Sequence, residues 1–368
     1  MPRLKVILTA LAEILVRGDG WSHDVLVGPL RDAAPRIAQY CRDYPTPLVS
    51  DDHLLTLHGD KLQSLAAFEP IAVPRGEASK GWDTLRQLVA RFSDLGITRQ
   101  TPIVAFGGGS IGDVAGLAAA LFKRGCPIVH IPTTLLAQVD SAVGGKTAID
   151  DCGQKNLVGT FHPPALVVCD PEFLETLDER QYRAGYAEIV KYGLIDDEPF
   201  FRWCEENGSS LLARDRDAQK EAISHCVSTK ARFVESDLED RSGRRALLNF
   251  GHSFAHAIEA VAGFGNILHG EAVAIGSCMA FDLSVSLGHC AAEQSERVRS
   301  HFAFANLPIS LADIGLDGRA AELLPLIAVD KKAGHGGLTL ILTEGIGKAF
   351  VFRDLDRQLL ADFLGQAG

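Results

Sequence analysis

The sequence predicts an α/β domain with a mostly parallel sheet over residues 1–178, followed by a mostly α-helical domain over residues 179–368. In the first half, short apolar stretches alternate with amphipathic helical stretches, which is typical of a parallel sheet with helices on its faces. After about residue 178, long helical periods dominate. The 368 residues, 46% of them hydrophobic and 23% charged, suit two ordinary globular domains.

The predicted strands of the first half are short and apolar. In chain order they are DVLVG near residue 24, PLVS near 47, IAVP near 71, PIVAF near 102, PIVHIP near 127 and ALVVCD near 165. Apolar residues at helical spacing predict a helix containing Trp82, Leu85, Leu88, Val89 and Phe92. In the second half, the same spacing appears at Ile223, Cys226, Val227, Ala231 and Val234. The segment LTLILTEGIGKAFVF near the end predicts a hairpin.

Charge and cysteine content exclude several classes of protein. Lys and Arg total 36 against 47 Asp and Glu, and the net charge of −11 argues against a broad surface for nucleic acid or anionic membranes. The eight cysteines are scattered without a CxxC pair, which predicts reduced core thiols in a cytoplasmic protein. The N-terminal run VILTALAEILV contains Glu13 and lacks a small-residue cleavage pattern, so a signal peptide is not favoured. No run is long enough to span a bilayer.

The run IVAFGGGSIGDVAG places glycines directly between an apolar strand and a helix. Gly107, Gly109 and Gly112 match the pattern G-x-G-x-x-G, in which bare backbone at a helix start meets a nucleotide phosphate. The pattern alone is weak, because glycine-rich strand exits are common in α/β proteins. Asp113 either caps the helix or faces the nucleotide. The segment PRGEASK supplies Glu77 and Lys80, and Asp51 ends another predicted strand; a carboxylate at either place would hold a ribose diol.

Three polar residues in separate apolar motifs indicate a metal centre. Glu188 lies in GYAEIVKYG, His252 in LLNFGHSFAHAIE and His269 in LHGEAVAIG. One carboxylate and two imidazoles suit a catalytic divalent metal that keeps a position open for substrate. His256 follows His252 by four residues, so spacing alone nominates it as a ligand too, the alternative for the pair being one core histidine and one surface histidine.

Other polar residues suggest a lined cavity and an anion site. Asn249 and Arg245 precede His252 by one and two helical turns, respectively, which predicts a polar stripe on one helix. The segment VDSAVGGKTAIDDCGQKNLVG is glycine-rich and polar, and its Lys146 and Lys155 either clamp phosphate or are solvated loop residues. Lys191, three residues after Glu188, forms either a helix ion pair or a substrate contact.

Six motifs, in this order, closely resemble those of the 3-dehydroquinate synthase family of sugar-phosphate cyclases. They are GGGSIGDVAG, IPTTLLAQVDSAVGGKTAID, KNLVGTFHPP, GYAEIVKYG, RALLNFGHSFAHAIEA and LHGEAVAIG, and the resemblance runs from about residue 45 to 350. An ordered set of six is far more specific than one glycine loop. The resemblance implies a nucleotide-binding α/β domain, a mostly helical C-terminal domain, an active site in the cleft, a homodimer, catalytic NAD, and zinc or cobalt.

In that family the substrate is 3-deoxy-D-arabino-heptulosonate 7-phosphate, and the products are 3-dehydroquinate and phosphate. NAD transiently oxidises the C5 hydroxyl, which acidifies the neighbouring C–H and permits elimination of phosphate. Re-reduction, ring opening and an internal aldol closure follow, without net redox change. The departing phosphate itself takes the proton, so the resemblance implies that the enzyme mainly positions and polarises its substrate. It also implies a place in the shikimate pathway of aromatic amino acid biosynthesis.

The resemblance assigns roles to individual residues. Metal ligands are Glu188, His252 and His269. Contacts to the substrate carboxylate are Lys230 and Arg245, and those to its hydroxyl side are Asp140, Asn156 and Lys191. Around the phosphate are Lys146, Asn249, His256 and Lys331, with Arg124 reaching it from the other subunit, so His256 takes a phosphate role instead of a metal role. The NAD positions are Asp51, Glu77, Lys80, Gly108, Gly109, Ser110, Asp113, Thr133, Thr134, Lys155 and Thr176.

The sequence departs from the family pattern in three places. The segment DDCGQKN stands where the family has Pro and Gly directly before the lysine, so Cys152 and Gln154 reshape that loop. Ser110 replaces a commoner apolar residue. The stretch DLEDRSGRR is one residue longer than in the family, which makes Arg244 a rival to Arg245.

Two other functions stay open on the sequence. One is a sister cyclase acting on sedoheptulose 7-phosphate or glucose 6-phosphate, which lack the carboxylate that Lys230 and Arg245 would bind. The other is a metal-dependent polyol dehydrogenase, which would release NADH; the many candidate phosphate contacts argue against it.

Overall fold

A computed structural model describes residues 11–41, 46–238, 243–263, 265–330 and 337–366. The chain forms two compact units. The first comprises Met1–Leu177 and Gln219–Leu238, and the second comprises Asp178–Ala218 and Glu239–Gly368. Residues 219–238 fall in the predicted C-terminal domain, whereas in the structure they pack with the first unit. The functional division at residue 178 stays a prediction.

The described residues form the following strands and α-helices. The strands are β1 (Ala12–Gly18), β2 (Trp21–Val27), β3 (Thr46–Ser50), β4 (Phe68–Ala72), β5 (Ile103–Gly107), β6 (Ile128–Pro132), β7 (Lys146–Asp151), β8 (Gln154–Phe161), β9 (Leu166–Cys169), β10 (Leu338–Thr343) and β11 (Ala349–Leu355). The α-helices are α1 (Leu30–Tyr40), α2 (Asp52–Gln63), α3 (Trp82–Asp94), α4 (Gly109–Leu121), α5 (Glu179–Asp196), α6 (Glu198–Leu212), α7 (Arg216–Ser236), α8 (His252–Ala262), α9 (His269–Ser286), α10 (Ala292–Phe304), α11 (Leu323–Asp330) and α12 (Arg357–Gln366).

Within the described residues, seven strands of the first unit form one sheet in the order β1-β2-β9-β6-β5-β3-β4. In this order, every neighbouring pair between β2 and β4 is parallel. Strand β1 lies at the edge of the sheet and pairs antiparallel with β2. The predicted mostly parallel sheet and all six predicted strands are therefore confirmed. Strand β1 was not predicted. It contains part of the apolar run that sequence analysis considers only as a signal core.

The sheet is covered by apolar side chains on both faces. Along β5, Ile103 and Ala105 pack into one buried cluster with α3 and α4, while Val104 and Phe106 pack into another with α1 and α2. This alternation follows from the strand geometry, in which successive side chains point to opposite faces. The continuous apolar sequence of β5 is thus explained by burial on both sides.

The order of the strands reverses between β5 and β3. Strand β3 pairs with β4 on one side and with β5 on the other, whereas β5 continues to β6 and β9. Such a switch point leaves a crevice at the carboxyl ends of the strands, where ligands of open α/β sheets bind.

A second hairpin was not predicted. Strands β7 and β8 pair antiparallel, with Asp151 opposite Gln154. The two intervening residues, Cys152 and Gly153, have φ angles of 48° and 71°, as a tight hairpin turn requires. Gly116 of α4 lets the hairpin approach the helix closely, since a Cβ there would lie 2.5 Å from Cγ2 of Thr147. The segment is therefore an ordered two-stranded hairpin that packs on α4. Its glycine-rich and polar sequence did not predict this.

The second unit is mostly helical, as predicted, and contains α5, α6 and α8–α12 with the predicted hairpin β10–β11. Helix α5 is buried along most of its length and packs against α6 and α9. No described helix is long and apolar enough to cross a membrane.

The cysteines are all free, and seven of the eight are buried. The prediction of core thiols is wrong for Cys152, because it occupies the exposed hairpin turn.

Candidate active site

The predicted nucleotide residues gather at the carboxyl edge of the sheet in the first unit. Asp51 directly follows β3, Gly108 follows β5, and Thr133 follows β6. The amide of Thr133 donates to the carbonyl of Gly107 at 3.0 Å, which fixes two of these strand exits side by side. Because β3 and β5 flank the switch point, the fold alone brings together residues that are distant in sequence.

The glycine run is required by close packing. A Cβ on Gly107 would lie 2.5 Å from Cδ1 of Ile111, and one on Gly109 would lie 2.9 Å from Oγ of Ser141. Helix α4 begins at Gly109, so its first amides are presented at the strand exit. A pocket at this point is lined by residues of the loop, β6 and the start of β7, among them Gly108, Gly109, Asp113, His130, Ser141 and Lys146. The site therefore fits the phosphates of a dinucleotide.

Lys80 is the centre of a charged cluster beside the glycine run. Its buried ammonium donates to Oδ2 of Asp113 at 2.8 Å and to the side-chain oxygen of Asn156. Carboxylate oxygens of Glu77 and Asp150 lie 3.9 and 3.8 Å from the same nitrogen. Asp113 therefore does not cap α4 but pairs with Lys80.

The balance of burial and neighbouring charges raises the pKa of both Asp113 and Lys80. Burial raises the pKa of Asp113 to about 6; the charge of Lys80 opposes the rise, and those of Glu77 and Asp150 add to it. For Lys80, burial lowers the pKa, but the three carboxylates outweigh burial and raise it. The lysine is thus charged, while Asp113 exchanges its proton near neutral pH.

The remaining predicted nucleotide residues have structural partners. Asp51 caps α2 by accepting from the amide of Leu54 at 2.9 Å. Ser110 donates to Glu77 at 2.9 Å, the hydroxyl of Thr134 accepts from the amide of Ala137 at 3.2 Å, and the hydroxyl of Thr176 lies 3.0 Å from Nε2 of His58. Lys155 is half-buried on β8.

The predicted substrate residues of the first unit include an ion pair. Lys230 donates to the carboxylate of Asp140 at 2.9 Å and to its carbonyl at 2.5 Å. Lys146 is exposed and lines the pocket at the glycine run. Asn156, next to the hairpin turn, has a φ of 55° and its amide donates to Asp150 at 2.7 Å. Arg124 is exposed after α4, with a φ of 66°.

Sequence reasoning missed His130 and Ser141, which line the same pocket. His130 is a polar residue in an otherwise apolar strand, β6, and this interruption was the available signal. Burial lowers the pKa of His130 to about 3, so its ring is neutral.

In the second unit, three helices bring together the predicted metal ligands. Nε2 of His269 lies 3.4 Å and Nε2 of His252 lies 3.8 Å from Oε1 of Glu188. One ligand atom from each residue lies within 4.8 Å of the others. Glu188 is fully buried, and His252 is nearly so.

Glycines allow this convergence. A Cβ on Gly270, directly after His269, would overlap the carbonyl oxygen of Ala184, one turn before Glu188. Gly251, directly before His252, has a φ of 76°, and a Cβ there would lie 2.7 Å from Oγ of Ser277 on α9. The helices α5, α8 and α9 therefore approach backbone to backbone where the ligands sit.

The second nitrogen of each histidine faces an acceptor. Nδ1 of His252 lies 3.1 Å from the carbonyl of Phe250, and Nδ1 of His269 lies 3.6 Å from Oε1 of Glu259. This leaves both Nε2 atoms directed at Glu188, which is the arrangement of metal-binding histidines. The donor set and its orientation fit a divalent metal such as zinc.

The pKa values of the two histidines shift in opposite directions. Burial lowers the pKa of His252 well below its usual value, so this ring is neutral. For His269, burial also lowers the pKa, but the carboxylates of Glu188 and Glu259 outweigh it and raise it to about 9. A metal would replace the proton of His269.

The polar stripe on one continuous helix is a wrong prediction. Residues Arg245–Asn249 form a separate 3₁₀ turn, and Gly251 breaks the path before α8 starts at His252. The left-handed conformation of Gly251 is incompatible with a continuing helix.

The other predicted residues of this unit differ in exposure. Arg245 is buried whereas its rival Arg244 is exposed, which favours Arg245 as a built contact. Lys191 is buried and forms an ion pair with Glu188. Asn249 is half-buried, and His256 is exposed with its ring 5.5 Å from that of His252. Lys331 lies outside the described residues.

Comparison with known proteins identifies the family. The model of the 3-dehydroquinate synthase N-terminal domain matches residues 70–184, and that of the 3-dehydroquinate synthase C-terminal domain matches residues 185–333. The chain belongs to the 3-dehydroquinate synthase family. A family member from Ruegeria sp. strain TM1040, named 3-dehydroquinate synthase, is 45% identical over 355 residues, covering 94% of this chain and 95% of the relative.

Solved structures of other cyclases share the fold of this family member. The 2-epi-5-epi-valiolone synthase of Streptomyces hygroscopicus, with NAD+ and Zn2+ bound, is 30% identical with a TM-score of 0.86, covering 98% of both chains. A 2-deoxy-scyllo-inosose synthase complexed with carbaglucose-6-phosphate, NAD+ and Co2+ is 25% identical with a TM-score of 0.81, covering 97% of this chain and all of the other.

Proposed function

We propose that the protein is a 3-dehydroquinate synthase, which converts 3-deoxy-D-arabino-heptulosonate 7-phosphate to 3-dehydroquinate and phosphate. It would be a carbon–oxygen lyase acting on phosphate in the shikimate pathway. The observation that carries the proposal is the convergence of Glu188, His252 and His269 in a chain that belongs to this family by nearly its whole length. The relatives with solved structures bind NAD+ with Zn2+ or Co2+, and the residues here fit both groups.

When bound, NAD would accept and return one hydride, and the metal would polarise substrate oxygens as a Lewis acid. The glycine run and Lys80 cluster would hold the dinucleotide. Glu188, His252 and His269 would hold the metal. This division assigns one cofactor to each unit of the chain.

The work left for the side chains is mainly to bind and orient an anionic substrate. An acidic protein needs local cations for this, and the proposed ones are Lys146, Lys191, Lys230, Arg245 and Lys331. Lys230 and Lys191 are buried and already charge-paired, with Asp140 and Glu188. Their positions are therefore fixed before substrate arrives, which lowers the entropic cost of binding.

The proton acceptor need not be a protein base. The phosphate leaving group carries basic oxygens, and if it takes the proton from the neighbouring C–H, the chain has only to align the two. Asn249 and His256 are proposed to hold the phosphate in that alignment.

We also propose a cytoplasmic homodimer in which Arg124 of one subunit reaches the phosphate bound by the other. The exposure of Arg124, shortly after the end of α4, supports this role.

Phosphate release tests the function. The purified protein with Zn2+ and NAD+ is given the heptulosonate phosphate or sedoheptulose 7-phosphate, while absorbance reports NADH. Phosphate from the heptulosonate without accumulating NADH supports the proposal. Phosphate from sedoheptulose 7-phosphate alone would make the protein a sister cyclase, and steady NADH formation would make it a dehydrogenase.

The sister cyclase is the second candidate because both structural relatives named above belong to that group. The buried cations Arg245 and Lys230 favour the dehydroquinate synthase over the sister cyclase. Their proposed role is to bind the substrate carboxylate, which the sugar phosphates used by sister cyclases lack.

A further inference from the structure

Glu259 is a buried carboxylate that the proposed reaction does not use. It lies on α8, only 2% exposed, in the apolar sequence HSFAHAIEAVA. A buried carboxylate is costly unless it interacts with a cation or with hydrogen-bond donors. Neighbouring groups must therefore offset the cost of burying this carboxylate.

Its position relates it to the metal centre. Glu259 follows His252 by seven residues, which places both on the same face of α8, the face packed on α9. Its Oε1 lies 3.6 Å from Nδ1 of His269, while Nε2 of the same ring lies 3.4 Å from Glu188. The imidazole of His269 thus stands between two carboxylates, one on each nitrogen.

We propose that Glu259 is a positioning residue for the metal ligand His269: it holds the proton on Nδ1 and so directs the lone pair of Nε2 toward Glu188 and His252. A carboxylate that accepts from Nδ1 also makes Nε2 of the imidazole more basic and hence a stronger metal ligand. The inference rests on the proposed metal site and adds a residue to it.

The two histidines provide an internal comparison. His252 is oriented by a neutral backbone carbonyl, that of Phe250, which is supplied by its own chain two residues earlier. His269 is the first residue of α9, preceded by Leu268, and takes its acceptor from another helix. The carboxylate of Glu259 therefore does for His269 what the nearby carbonyl does for His252. His269 is also the more exposed of the two ligands, with 32% of its side chain accessible against 11% for His252.

A separate interpretation of the same atoms is a second metal site. His256, Glu259 and His269 also offer ligand atoms within 4.8 Å of one another. That site would need His269 to give both nitrogens to metals. We favour positioning, because one of the three residues, His256, is exposed and one nitrogen of His269 already faces Glu188.

The test measures Zn2+ binding directly. Metal-free wild type, Glu259→Gln and Glu259→Asp are titrated with Zn2+ against a chromogenic chelator, and the visible spectrum of each Co2+-substituted protein reports ligand geometry. Glu205→Gln is the matched control, since Glu205 is a half-buried carboxylate of the same unit that pairs with Arg297 at 2.6 Å. NAD affinity of each protein is measured as a second control.

We expect Glu259→Gln to weaken Zn2+ binding about 10- to 100-fold and to alter the Co2+ spectrum. Glu259→Asp, which keeps the charge but withdraws it by one methylene group, should lose less, and it also serves if the Gln variant does not fold. Glu205→Gln should bind Zn2+ like the wild type, and NAD affinity should not change.

Wild-type affinity and spectrum in both Glu259 variants would overturn the inference and leave the proposed function intact. If the wild type binds two Zn2+ ions and the Glu259 variants lose only the second, the inference would be overturned in favour of a metal site formed by His256, Glu259 and His269. If the wild type itself binds no Zn2+, or if His252→Ala binds it equally well, the proposed metal centre fails and the inference with it.

Discussion

The two candidate cofactor regions of this protein are built in opposite ways. At the sheet edge of the first unit, backbone atoms of consecutive glycines and strand exits form most of the site, so its position follows from the fold class. At the metal centre of the second unit, side chains from α5, α8 and α9 form the site, and their distances depend on close helix packing at Gly251 and Gly270. The first site should tolerate side-chain changes that the second does not.

The largest expected effect comes from removing a single metal ligand, which should affect the metal centre and leave the nucleotide region unchanged. His269→Ala removes one of three protein ligands, so we expect loss of bound zinc and a fall in kcat/KM of about 1000-fold or more, which corresponds to roughly 4 kcal/mol of transition-state stabilisation. Zinc content by atomic emission and NAD affinity by fluorescence check this. NAD affinity should be unchanged, as should the zinc content of His289→Ala, an exposed histidine of the same unit. Full activity with normal zinc would refute the ligand assignment.

The next effect tests whether packing fixes the metal centre. Gly270→Ala introduces a Cβ against the carbonyl of Ala184, and we expect a loss of about 3 kcal/mol in the free energy of unfolding together with weaker zinc binding. The matched control is Gly59→Ala in α2, where a Cβ meets nothing within 4 Å and helix propensity should stabilise by up to about 1 kcal/mol. Thermal unfolding with and without zinc measures both. Equal unfolding midpoints for the two variants would contradict the packing argument.

A pH experiment tests the charged cluster of the nucleotide region. The pKa of Asp113 is raised to about 6 in the folded protein, so its contribution to stability is fully present below its unfolded value near 3.8 and is lost as the pH rises through 6. Asp113→Asn removes this titration. We expect its free energy of unfolding, relative to wild type, to rise by about 1 to 3 kcal/mol between pH 4 and pH 7.5 in the absence of NAD. Urea denaturation at both pH values checks this, and a pH-independent difference between the two proteins would disprove it.

The smallest effect concerns the hairpin that carries Lys155 and Asn156. Both turn residues, Cys152 and Gly153, have positive φ angles, and Asn is preferred to Cys at the first of these positions. Cys152→Asn should therefore stabilise the protein by a few tenths of a kcal/mol to about 1 kcal/mol without changing NAD affinity. The unfolding midpoint checks the first expectation. A lower midpoint would show that the thiol contributes to the turn.

The sequence predicted the nucleotide region more fully than its surroundings. Strand β5, the glycine run and the start of α4 form one contiguous signal, and the structure has each of them. The hairpin β7–β8 escaped prediction because most of β8 is exposed, so its sequence QKNLVGTF lacks the alternation of apolar and polar residues that marks a half-buried strand. Strand β1 escaped because its apolar run also suits a leader segment.

Pairing between charged residues was also beyond the sequence. Sequence reasoning treated Lys80 and Asp113 as separate nucleotide contacts, and it treated Lys230 and Asp140 as separate substrate contacts, whereas the structure joins both pairs. The partners lie 33 and 90 residues apart, so no local spacing rule relates them. Lys191 and Glu188, three residues apart on one helix, were within reach of such a rule.

By itself, the sequence determined the fold class, the family and the types of ligand atom available, because hydrophobic periodicity and ordered motifs are local properties of the chain. It could not determine which polar groups meet. The tertiary structure decided that Gly251 divides the expected polar helix, that Arg245 rather than Arg244 is buried, and that Glu259 faces His269. The physical reason is that burial and ligand geometry arise only when helices distant in sequence pack to within van der Waals contact, where one Cβ or one turn of backbone changes the neighbours of every side chain.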